Sequence, residues 1–411
     1  MEVEMLPGTT PTDREQIPRV ALNCLSGVAP TNGARVFVLA LANALAEIGG
    51  LELVLLTAKG EREALPADLQ NVAQEVDVPP ARSYRQIFWS RRIASSLRDK
   101  RVSVLHLPNT VPSLLPGVPT IITIFDLAEL HASRYGPLRT VYRWVVNLIG
   151  AHMADAVITI SQNSKRDIAK HLRINPEKIT VTYPGIGEEF VPGDSAESRE
   201  IVRQRFGTDR FVLFPGGIAR NKNLEGALRA LAQFRQLGGV QSLLVTGQGE
   251  PRYVQSLRRL ARRLKVDDKV IWTGCLERDT LPTLYRAADA TLYPSFYEGF
   301  GMPILESMAC GCPVIAGNTS SLPEAAGDAA LLVNPRDPVA IAHALKQAVT
   351  DLTLRKVLID RGIAQARGFS WSSTAIGTIE VYRALCNITA RKDFALRYTY
   401  ESPSPQPPLE S

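Results

Sequence analysis

The sequence has few cysteines: there are five in 411 residues, at positions 24, 275, 310, 312 and 386. An odd number of scattered cysteines argues against the disulfide framework that holds small secreted domains together. Cys310-Gly-Cys312 lacks the spacing of a zinc site, and no second pair accompanies it. We therefore expect buried thiols and no metal bound by cysteine.

Long apolar runs are also absent. No stretch approaches the roughly 18 apolar residues that a membrane-spanning helix requires. Residues 1–17 are polar and contain prolines but lack the apolar segment of a signal peptide, so they predict a flexible N-terminus. The Pro-rich, polar residues 398–411 predict a disordered tail. Together these features predict a cytoplasmic protein.

Charge of either sign is not strongly in excess, since the formal net charge is +6. This balance gives no indication of nucleic-acid binding. Basic residues alternate with aromatic ones at residues 84–101 and 139–144. Such segments fit peripheral contact with an anionic membrane or a polyprenyl-diphosphate acceptor, and they also fit solvated helix faces with their aromatics in the core. A further basic run at 258–265 has leucines at helical spacing and predicts an amphipathic surface helix.

Short apolar segments alternate with helical ones along the chain, which indicates parallel sheets covered by helices. The alternation occurs twice, on either side of residues 184–198, a Gly-, Pro- and acid-rich stretch that predicts a linker. Strands are predicted at residues 19–25, 51–57, 102–107, 120–125, 156–160, 179–183, 211–215, 242–246, 270–273, 290–293, 313–316 and 330–333. The fold class is therefore α/β, with two Rossmann-like, doubly wound domains. Ligands bind at the carboxyl ends of such strands, which favours an active site in the cleft between the domains.

The most informative segment places two carboxylates around a glycine-rich turn, Glu298-Gly-Phe-Gly-Met-Pro, with a helix following it. Free N–H groups at the start of that helix suit a diphosphate, and Gly299 and Gly301 let the main chain approach a ligand closely. Carboxylates would repel phosphate. We therefore interpret Glu298 and Glu306 as acceptors for hydroxyl groups, one on a sugar and one on ribose.

The Glu-x7-Glu spacing of Glu298 and Glu306, and the surrounding block 288–316, resemble the retaining glycosyltransferases of family 4. Ser321-Leu-Pro-Glu324 and Gly327-Asp-Ala-Ala extend the match. The resemblance covers roughly residues 19–396 and is much stronger in the second half. It implies the GT-B fold, in which the two domains face each other across a cleft, with the donor mainly on the C-terminal domain and the acceptor on the N-terminal domain.

This resemblance gives the following domain boundaries: 18–190 for the N-terminal acceptor domain, 191–375 for the C-terminal donor domain, and 376–397 for a final helix that crosses back to the N-terminal domain. It also implies site residues. Glu298 belongs to the catalytic set, while Glu306, Gly299, Phe300 and Gly301 are expected to bind the donor.

A second group of residues, Phe214-Pro-Gly-Gly-Ile-Ala-Arg220-Asn-Lys222-Asn223, combines a strand end, a glycine turn and two cations. It fits a clamp for a departing diphosphate, because positive charge is needed where negative charge accumulates. Lys222-Asn223 matches a Lys-Asn pair of the family, so Lys222 is assigned to the catalytic set and Asn223 is expected to bind the donor. The family's Arg varies in position, and Arg220 is assigned to the catalytic set beside Lys222. Surface cations capping a helix are the alternative. Gly217 and Gly247 follow strands. Gly247-Gln-Gly249 resembles a glycine turn at the family's nucleotide edge, and the resemblance implies that Gly217 and Gly247 bind the donor.

In the first half, Asn32-Gly33 resembles the family's glycine-bearing loop near the acceptor and the donor phosphate, although a plain tight turn fits nearly as well. Thr123-Ile-Phe125-Asp126 resembles a block that in many relatives reads Thr-Ile-His-Asp. Phe125 replaces the histidine that helps to contact the sugar in those relatives, so Asp126 becomes the polar catalytic candidate, with His131 as a substitute. The histidines at 106, 152, 171 and 343 have no convincing partners in the sequence.

No Asp-x-Asp occurs in the chain, which removes the usual metal-binding motif of the other large glycosyltransferase architecture. We therefore expect metal independence and no cofactor, with the nucleotide sugar acting as a substrate. The resemblance implies a front-face retaining mechanism in which the leaving diphosphate accepts the proton of the acceptor.

The expected function is transfer of a hexose from a nucleotide sugar, with GDP-mannose first and UDP-linked sugars second, to a glycan or lipid-linked acceptor. A second hypothesis is a non-catalytic sugar-nucleotide-binding or scaffold subunit of an envelope-polysaccharide complex. A phosphorylase or epimerase on the same architecture is a third. For a pyridoxal-phosphate phosphorylase the chain is too short and shows no cofactor lysine.

Overall fold

The computed structural model describes residues 17–24, 33–76, 97, 102–108, 118–131 and 137–388. Some predictions lie outside these residues: the N-terminus 1–16, Asn32, nearly all of the basic and aromatic segment 84–101, and the tail 398–411. The side chain of His131 is also outside the described set.

The first domain is built on a parallel sheet of seven strands in the order β3-β2-β1-β4-β5-β6-β7. The strands are β1 Arg19–Asn23, β2 Glu52–Ala58, β3 Ala73–Val76, β4 Val104–Leu107, β5 Thr120–Thr123, β6 Ala156–Thr159 and β7 Ile179–Val181. Strand β3 was not predicted. It lies at the edge of the sheet and reads Ala-Gln-Glu-Val, with three of its four residues outside the core, so it lacks the apolar run of a buried strand.

Helices cover both faces of this sheet. They are α1 Gly33–Ile48, α2 Ala67–Gln70, α3 Ala128–His131, α4 Pro137–Met153 and α5 Gln162–Leu172, with 3-10 turns at Arg62–Ala64 and Pro176–Lys178. The segment from residue 182 to residue 194 has no helix or strand and overlaps the predicted linker.

The second domain has a parallel sheet of six strands in the order β10-β9-β8-β11-β12-β13. The strands are β8 Phe211–Phe214, β9 Ser242–Thr246, β10 Val270–Gly274, β11 Ala290–Tyr293, β12 Val314–Gly317 and β13 Ala330–Val333. Side chains of β8 alternate between the two faces: Phe211 and Leu213 join one apolar cluster, and Val212 and Phe214 join the other. The predicted α/β class and the two doubly wound sheets are confirmed.

The helices of the second domain and the final helix are α6 Ser195–Phe206, α7 Leu224–Gln236, α8 Pro251–Arg263, α9 Thr280–Ala287, α10 Met302–Ala309, α11 Leu322–Ala326, α12 Pro338–Thr350, α13 Leu352–Arg367 and α14 Trp371–Ile388, with 3-10 turns at Arg220–Lys222 and Asp267–Lys269. Among the residues described, no helix is both long and apolar enough to cross a membrane. Cys275 is exposed, which corrects the expectation that all of the thiols are buried.

Helix α14 packs against α1 of the first domain. Its Tyr382 hydroxyl lies 2.7 Å from Nδ1 of His106 in β4, and Nε2 of His106 lies 2.7 Å from the hydroxyl of Thr123 in β5. The prediction that His106 has no convincing partner is therefore wrong. Full burial lowers the pKa of His106 to about 3, so the ring is neutral at physiological pH.

Aromatic side chains join the domains. Phe300 of the second domain packs between Tyr183 and Phe369, with ring centroids 5.6 Å and 5.5 Å apart. A second group of rings holds Phe125 against Phe37, which also meets Trp371 at the start of α14. Phe125 thus packs in an aromatic cluster where many relatives are expected to carry a histidine.

Candidate active site

The site forms where the order of the second sheet reverses, between β8 and β11. Loops that leave the carboxyl ends of these neighbouring strands carry Arg220 and Lys222 on one side and residues 294–301 on the other. Asn223 ties the two loops together. Its side chain accepts from the N–H of Gly226, which caps α7, and donates to the carbonyls of Pro294 (3.1 Å) and Pro335 (2.6 Å).

This geometry revises the role predicted for Asn223. The side chain is buried, its backbone is in the left-handed region with φ of 58°, and both its oxygen and its amide nitrogen bond to protein. Asn223 is therefore a positioning residue behind Lys222, not a side chain that faces a donor.

Lys222 and Glu298 meet at the centre of the site. Nζ of Lys222 lies 2.8 Å from Oε1 of Glu298, and the two side chains are only 17% and 13% exposed. Nζ also donates to the hydroxyl of Tyr293 at the end of β11. Oε1 of Glu298 is buried and held by the ion pair with Lys222, so it can accept a ligand hydroxyl only when Lys222 is drawn away.

Two serines hold the turn that follows Glu298. The backbone N–H of Glu298 donates to Oγ of Ser320, and Oγ of Ser321 donates to the carbonyls of Glu298 (2.9 Å) and Phe300 (3.0 Å). Sequence reasoning noted the Ser321-Leu-Pro-Glu324 segment but not this function. The bonds hold the backbone from which the Glu298 side chain projects.

Glu306, in the second turn of α10, is also near the site but is more deeply buried, at 5% exposure. Its Oε2 accepts from the hydroxyl of Tyr285 (3.1 Å), and its Oε1 lies 3.5 Å from the guanidinium of Arg278. Burial raises the pKa of the Glu306 carboxyl, and the nearby Arg278 opposes that shift. Neither Tyr285 nor Arg278 was predicted as a site residue.

Arg278 also reaches the segment that joins the domains. Its Nε donates to Oε1 of Glu189 at 2.9 Å, and its guanidinium lies over the ring of Phe190. The buried carboxylate of Glu306 is therefore connected through a single arginine to the inter-domain linker.

Asp126 of the first domain faces the donor loop of the second. A Cβ atom placed on Gly299 would lie 2.7 Å from Oδ2 of Asp126, closer than a Cβ atom approaches another heavy atom. Because residue 299 has no Cβ, the predicted catalytic residue Asp126 lies in contact with the Glu298 turn. Oδ1 of Asp126 accepts from the N–H of Ala128 and starts α3.

Other predicted residues have more peripheral positions. The guanidinium of exposed Arg220 lies 4.6 Å from the ring centroid of Tyr253, to the side of the Lys222 pair. Phe300 was predicted to bind the donor, but its side chain is 2% exposed in the aromatic junction, so only its backbone lines the turn. Gly301 is the N-cap of α10, and exposed Gly33 begins α1.

Gly247 lies beside the glycine pair that follows β8. A Cβ atom on Gly247 would lie 2.4 Å from the carbonyl oxygen of Gly216, and its φ is +84°. The loops after β8 and β9 can therefore touch only because Gly247 has no side chain. Gly217 lies in the same contact: a Cβ atom on it would lie 3.5 Å from the carbonyl oxygen of Gln248.

A further contact between the domains was not anticipated. The carboxylate of Glu324 in α11 accepts from the first N–H groups of α5, at Gln162 (2.7 Å) and Asn163 (3.3 Å), and from the hydroxyl of Tyr183 (2.6 Å). Here an acid of one domain caps a helix of the other, where the helix dipole favours negative charge. Oγ of Ser164 also donates to the carbonyl of Gly299.

Comparison with known proteins agrees with this geometry. The family described as Glycosyltransferase Family 4 matches residues 31–190, and Glycosyl transferases group 1 matches residues 197–365. The O-antigen chain mannosyltransferase B of Escherichia coli is 31% identical over 307 residues, which are 74% of this chain and 80% of that protein. The chain is a family 4 glycosyltransferase.

Solved structures support the GT-B fold of this glycosyltransferase. Sucrose-phosphate synthase from Thermosynechococcus elongatus superposes with a TM-score of 0.73 at 20% identity, covering 90% of this chain and 99% of that one. Anabaena HepE in complex with UDP and glucose gives 0.73 at 18% identity, covering 89% and 100%. The predicted GT-B arrangement is thus confirmed.

Proposed function

We propose that this glycosyltransferase moves a hexose, with retention of configuration, from a nucleotide-diphosphate sugar to a glycan or lipid-linked acceptor in polysaccharide or glycoconjugate biosynthesis. The observation that carries the proposal is the pairing of Lys222 with Glu298 beside the start of α10, across the cleft from Asp126. It joins a cation suited to a diphosphate with carboxylates suited to sugar hydroxyls.

Each side chain would act as follows. Lys222, with Arg220 beside it, would stabilise the charge that develops on the leaving diphosphate. Glu298 would accept a hydroxyl of the transferred sugar when a donor phosphate takes over Lys222. Glu306 would accept a ribose hydroxyl, and Asp126 would approach the sugar from the first domain.

In the proposed step, the bond between the anomeric carbon and the diphosphate oxygen breaks, and the acceptor oxygen bonds to that carbon on the same face. The acceptor's proton passes to the departing diphosphate, which leaves as a nucleoside diphosphate. This step uses no protein base. The positive charge comes from Lys222 and Arg220 and from the N-terminus of α10, so the proposal includes metal independence and needs no cofactor.

GDP-mannose is the donor we propose first. The likeness to a mannosyltransferase at 31% identity supports it. UDP-linked sugars come second, and the fold likeness to a protein solved with UDP and glucose keeps them in the panel. A cytoplasmic location, with peripheral contact at a membrane that carries the acceptor, completes the proposal.

A panel of nucleotide sugars tests the donor by thermal stabilisation. A donor present at 100 times its dissociation constant should add about 2.7 kcal/mol to the free energy of unfolding. GDP-mannose should stabilise the protein, and an acceptor should then produce turnover. If a donor binds but no acceptor extract supports transfer, the non-catalytic binding or scaffold subunit becomes the better description. If no nucleotide sugar binds, both the proposed transferase activity and the non-catalytic sugar-nucleotide-binding role are rejected.

A further inference from the structure

Helix α5 of the first domain directs two polar side chains at the second domain. Ser164 and Asp167 are three residues apart and therefore lie on the same face of the helix. Ser161 caps this helix: its Oγ accepts from the N–H of Ser164 at 2.9 Å and donates to the Oγ of Ser164 at 3.0 Å. Both serines are fully buried. The first turn of α5 is therefore bonded to its own cap and closed to solvent.

The partners of Ser164 and Asp167 are the residues on either side of Glu298. The hydroxyl of Tyr297 donates to Oδ2 of Asp167 at 2.7 Å. Oγ of Ser164 donates to the carbonyl oxygen of Gly299 at 3.3 Å. One helix of the first domain thus holds the turn of the second domain immediately before and immediately after its central carboxylate.

The hydroxyl of Tyr297 lies deep in this contact. The residue is 5% exposed, and its pKa is raised, first by burial and then by the carboxylates of Asp126 and Asp167. The backbone N–H of Leu127 opposes that shift. The phenol is therefore protonated at physiological pH and can donate to Asp167. Because Asp126 and Leu127 belong to the loop after β5, Tyr297 also places the Glu298 turn against that loop.

Contacts within the second domain fix the backbone of the same turn. Nδ2 of Asn221 donates to the carbonyl of Tyr297 at 3.1 Å, and Oγ of Ser321 donates to the carbonyl of Glu298 at 2.9 Å. These bonds orient the turn relative to the donor side of the cleft. The contacts from α5 have a different effect, because they set the position of the turn relative to the first domain, where the acceptor is expected.

A second bond between the domains provides a comparison. The hydroxyl of Tyr183 donates to Oε1 of Glu324 at 2.6 Å, which is again a tyrosine bonded to a carboxylate of the other domain. This bond holds neither neighbour of Glu298. If such bonds served only to attach the domains to each other, loss of either tyrosine hydroxyl would have the same effect on transfer. If the Glu298 turn is positioned by α5, the hydroxyl of Tyr297 matters more.

We propose that Tyr297, Asp167 and Ser164 are positioning residues that hold Glu298 in place relative to the acceptor side of the cleft. The inference rests on the proposed function, in which Glu298 accepts a hydroxyl of the transferred sugar. When the contacts with α5 are lost, the second domain still binds the nucleotide and the diphosphate, but the sugar is displaced from the acceptor. Such a displacement lowers the rate of transfer more than it weakens donor binding.

Steady-state kinetics of Tyr297→Phe tests the proposal, because this substitution removes the hydroxyl and keeps the ring. With saturating acceptor and the identified donor, kcat should fall about tenfold while the donor KM stays within about twofold of the wild type. Asp167→Ala should cause the same fall, and combining it with Tyr297→Phe should add little, since both remove one hydrogen bond. Asp167→Asn keeps an oxygen that accepts from the phenol, so its kcat should stay within about threefold of the wild type.

Tyr183→Phe is the matched control, because it removes the tyrosine–carboxylate bond between the domains that touches neither neighbour of Glu298. Its kcat should stay within about twofold of the wild type. An unchanged kcat in Tyr297→Phe, or equal losses of kcat in Tyr297→Phe and Tyr183→Phe, would overturn the positioning role.

Hydrogen exchange without a donor tests the contact separately from the reaction. The peptide that contains residues 295–301 should exchange faster in Tyr297→Phe and in Asp167→Ala than in the wild type, and at the wild-type rate in Tyr183→Phe. Unchanged exchange in Tyr297→Phe would show that α5 does not hold the turn, and the inference is then rejected. Absence of nucleotide-sugar binding and transfer in the wild type rejects the proposed function, and the exchange measurement still decides whether α5 holds the turn.

Discussion

Nζ of Lys222 and Oε1 of Glu298 lie 2.8 Å apart and join the loop after β8 to the loop after β11. Each of these partly buried groups fixes the position of the other in the absence of a donor. A diphosphate would compete for Lys222, and Glu298 would then have acceptor capacity for a sugar hydroxyl. The pair therefore links binding of the phosphates to placement of the transferred sugar.

Substitutions of Glu298 and Glu306 should change different kinetic parameters. A ribose hydroxyl is bound equally in the ground state and the transition state, so Glu306→Gln should mainly raise the donor KM. Glu298→Gln should mainly lower kcat, because the sugar is misplaced relative to the acceptor. Steady-state kinetics with the identified donor distinguishes them. Loss of kcat in Glu306→Gln, with only KM changed in Glu298→Gln, would reverse the two roles.

Gly299→Ala should lower the transfer rate at least about tenfold. The added Cβ would lie 2.7 Å from Oδ2 of Asp126, so the Asp126 carboxylate or the donor loop must shift, which displaces a predicted catalytic group. Gly150→Ala is the control, because among the described residues its Cβ would meet Ile122 alone, at an ordinary 3.6 Å. Equal activity in both variants, with melting temperatures near the wild type, would show that the contact between Asp126 and Gly299 is not needed for transfer.

Donor binding should depend on pH through Glu306. Burial raises the pKa of this carboxyl, and Arg278 opposes the shift. Tyr285 and Lys222 also favour the charged form, whereas Glu189 disfavours it. Because the protonated acid is a poorer acceptor for a ribose hydroxyl, the donor KM should rise as the pH falls through the pKa of Glu306.

Arg278→Met removes the largest opposing influence, so the pKa of Glu306 should rise further. The acid limb of the donor KM should then move to higher pH, whereas a purely structural defect would raise KM equally at every pH. The exposed Arg259→Met is the control. If the acid limb of the donor KM does not move in Arg278→Met, Arg278 does not control the protonation of Glu306.

His106 should make the fold sensitive to acid. Its pKa is about 3 in the folded protein and about 6.5 when unfolded, so the unfolded chain binds an extra proton below pH 6.5. The contribution of neutral His106 to the free energy of unfolding is complete above pH 6.5. It is lost progressively as the pH falls toward 3. Between pH 7 and pH 5 this costs about 2 kcal/mol.

The variant His106→Asn should be less stable at pH 7, because the contacts to Thr123 and Tyr382 are altered, but it should lose less stability on acidification. Urea unfolding at pH 7 and pH 5 measures both values. The same acid-induced loss in the wild type and the variant would exclude His106 as its source.

The strands of the second domain could be predicted to within about a residue because they are continuous apolar runs, such as Phe211–Phe214. Strand β3 could not, since an edge strand needs no apolar pattern. The paired glutamates and Lys222 were recognised because their spacing is local. Tyr285 and Arg278 act through contacts over long sequence separations, which no local pattern reveals. Glu324 lies in a recognised segment, but its contacts with the first domain are equally distant in sequence.

Two residues show how tertiary structure decides a role. Asn223 was predicted to contact the donor, but its left-handed backbone and its bonds to two prolyl carbonyls make it the anchor of the Lys222 turn. Phe125 stands where a histidine was expected, and its packing on Phe37 gives the aromatic ring a structural role. Neither fact depends on the residue's neighbours in sequence.

The most direct test of the proposed mechanism is the turnover of Lys222→Met with saturating donor, with EDTA present throughout. Lys346→Met, on an exposed face of α12, is the matched control. Removing one cation from the diphosphate site costs on the order of 2 to 4 kcal/mol in the transition state, so kcat should fall at least about tenfold in Lys222→Met alone. The wild type and the control should stay active. Near-normal turnover of Lys222→Met, or wild-type activity that EDTA abolishes and Mg²⁺ or Mn²⁺ restores, would contradict the account.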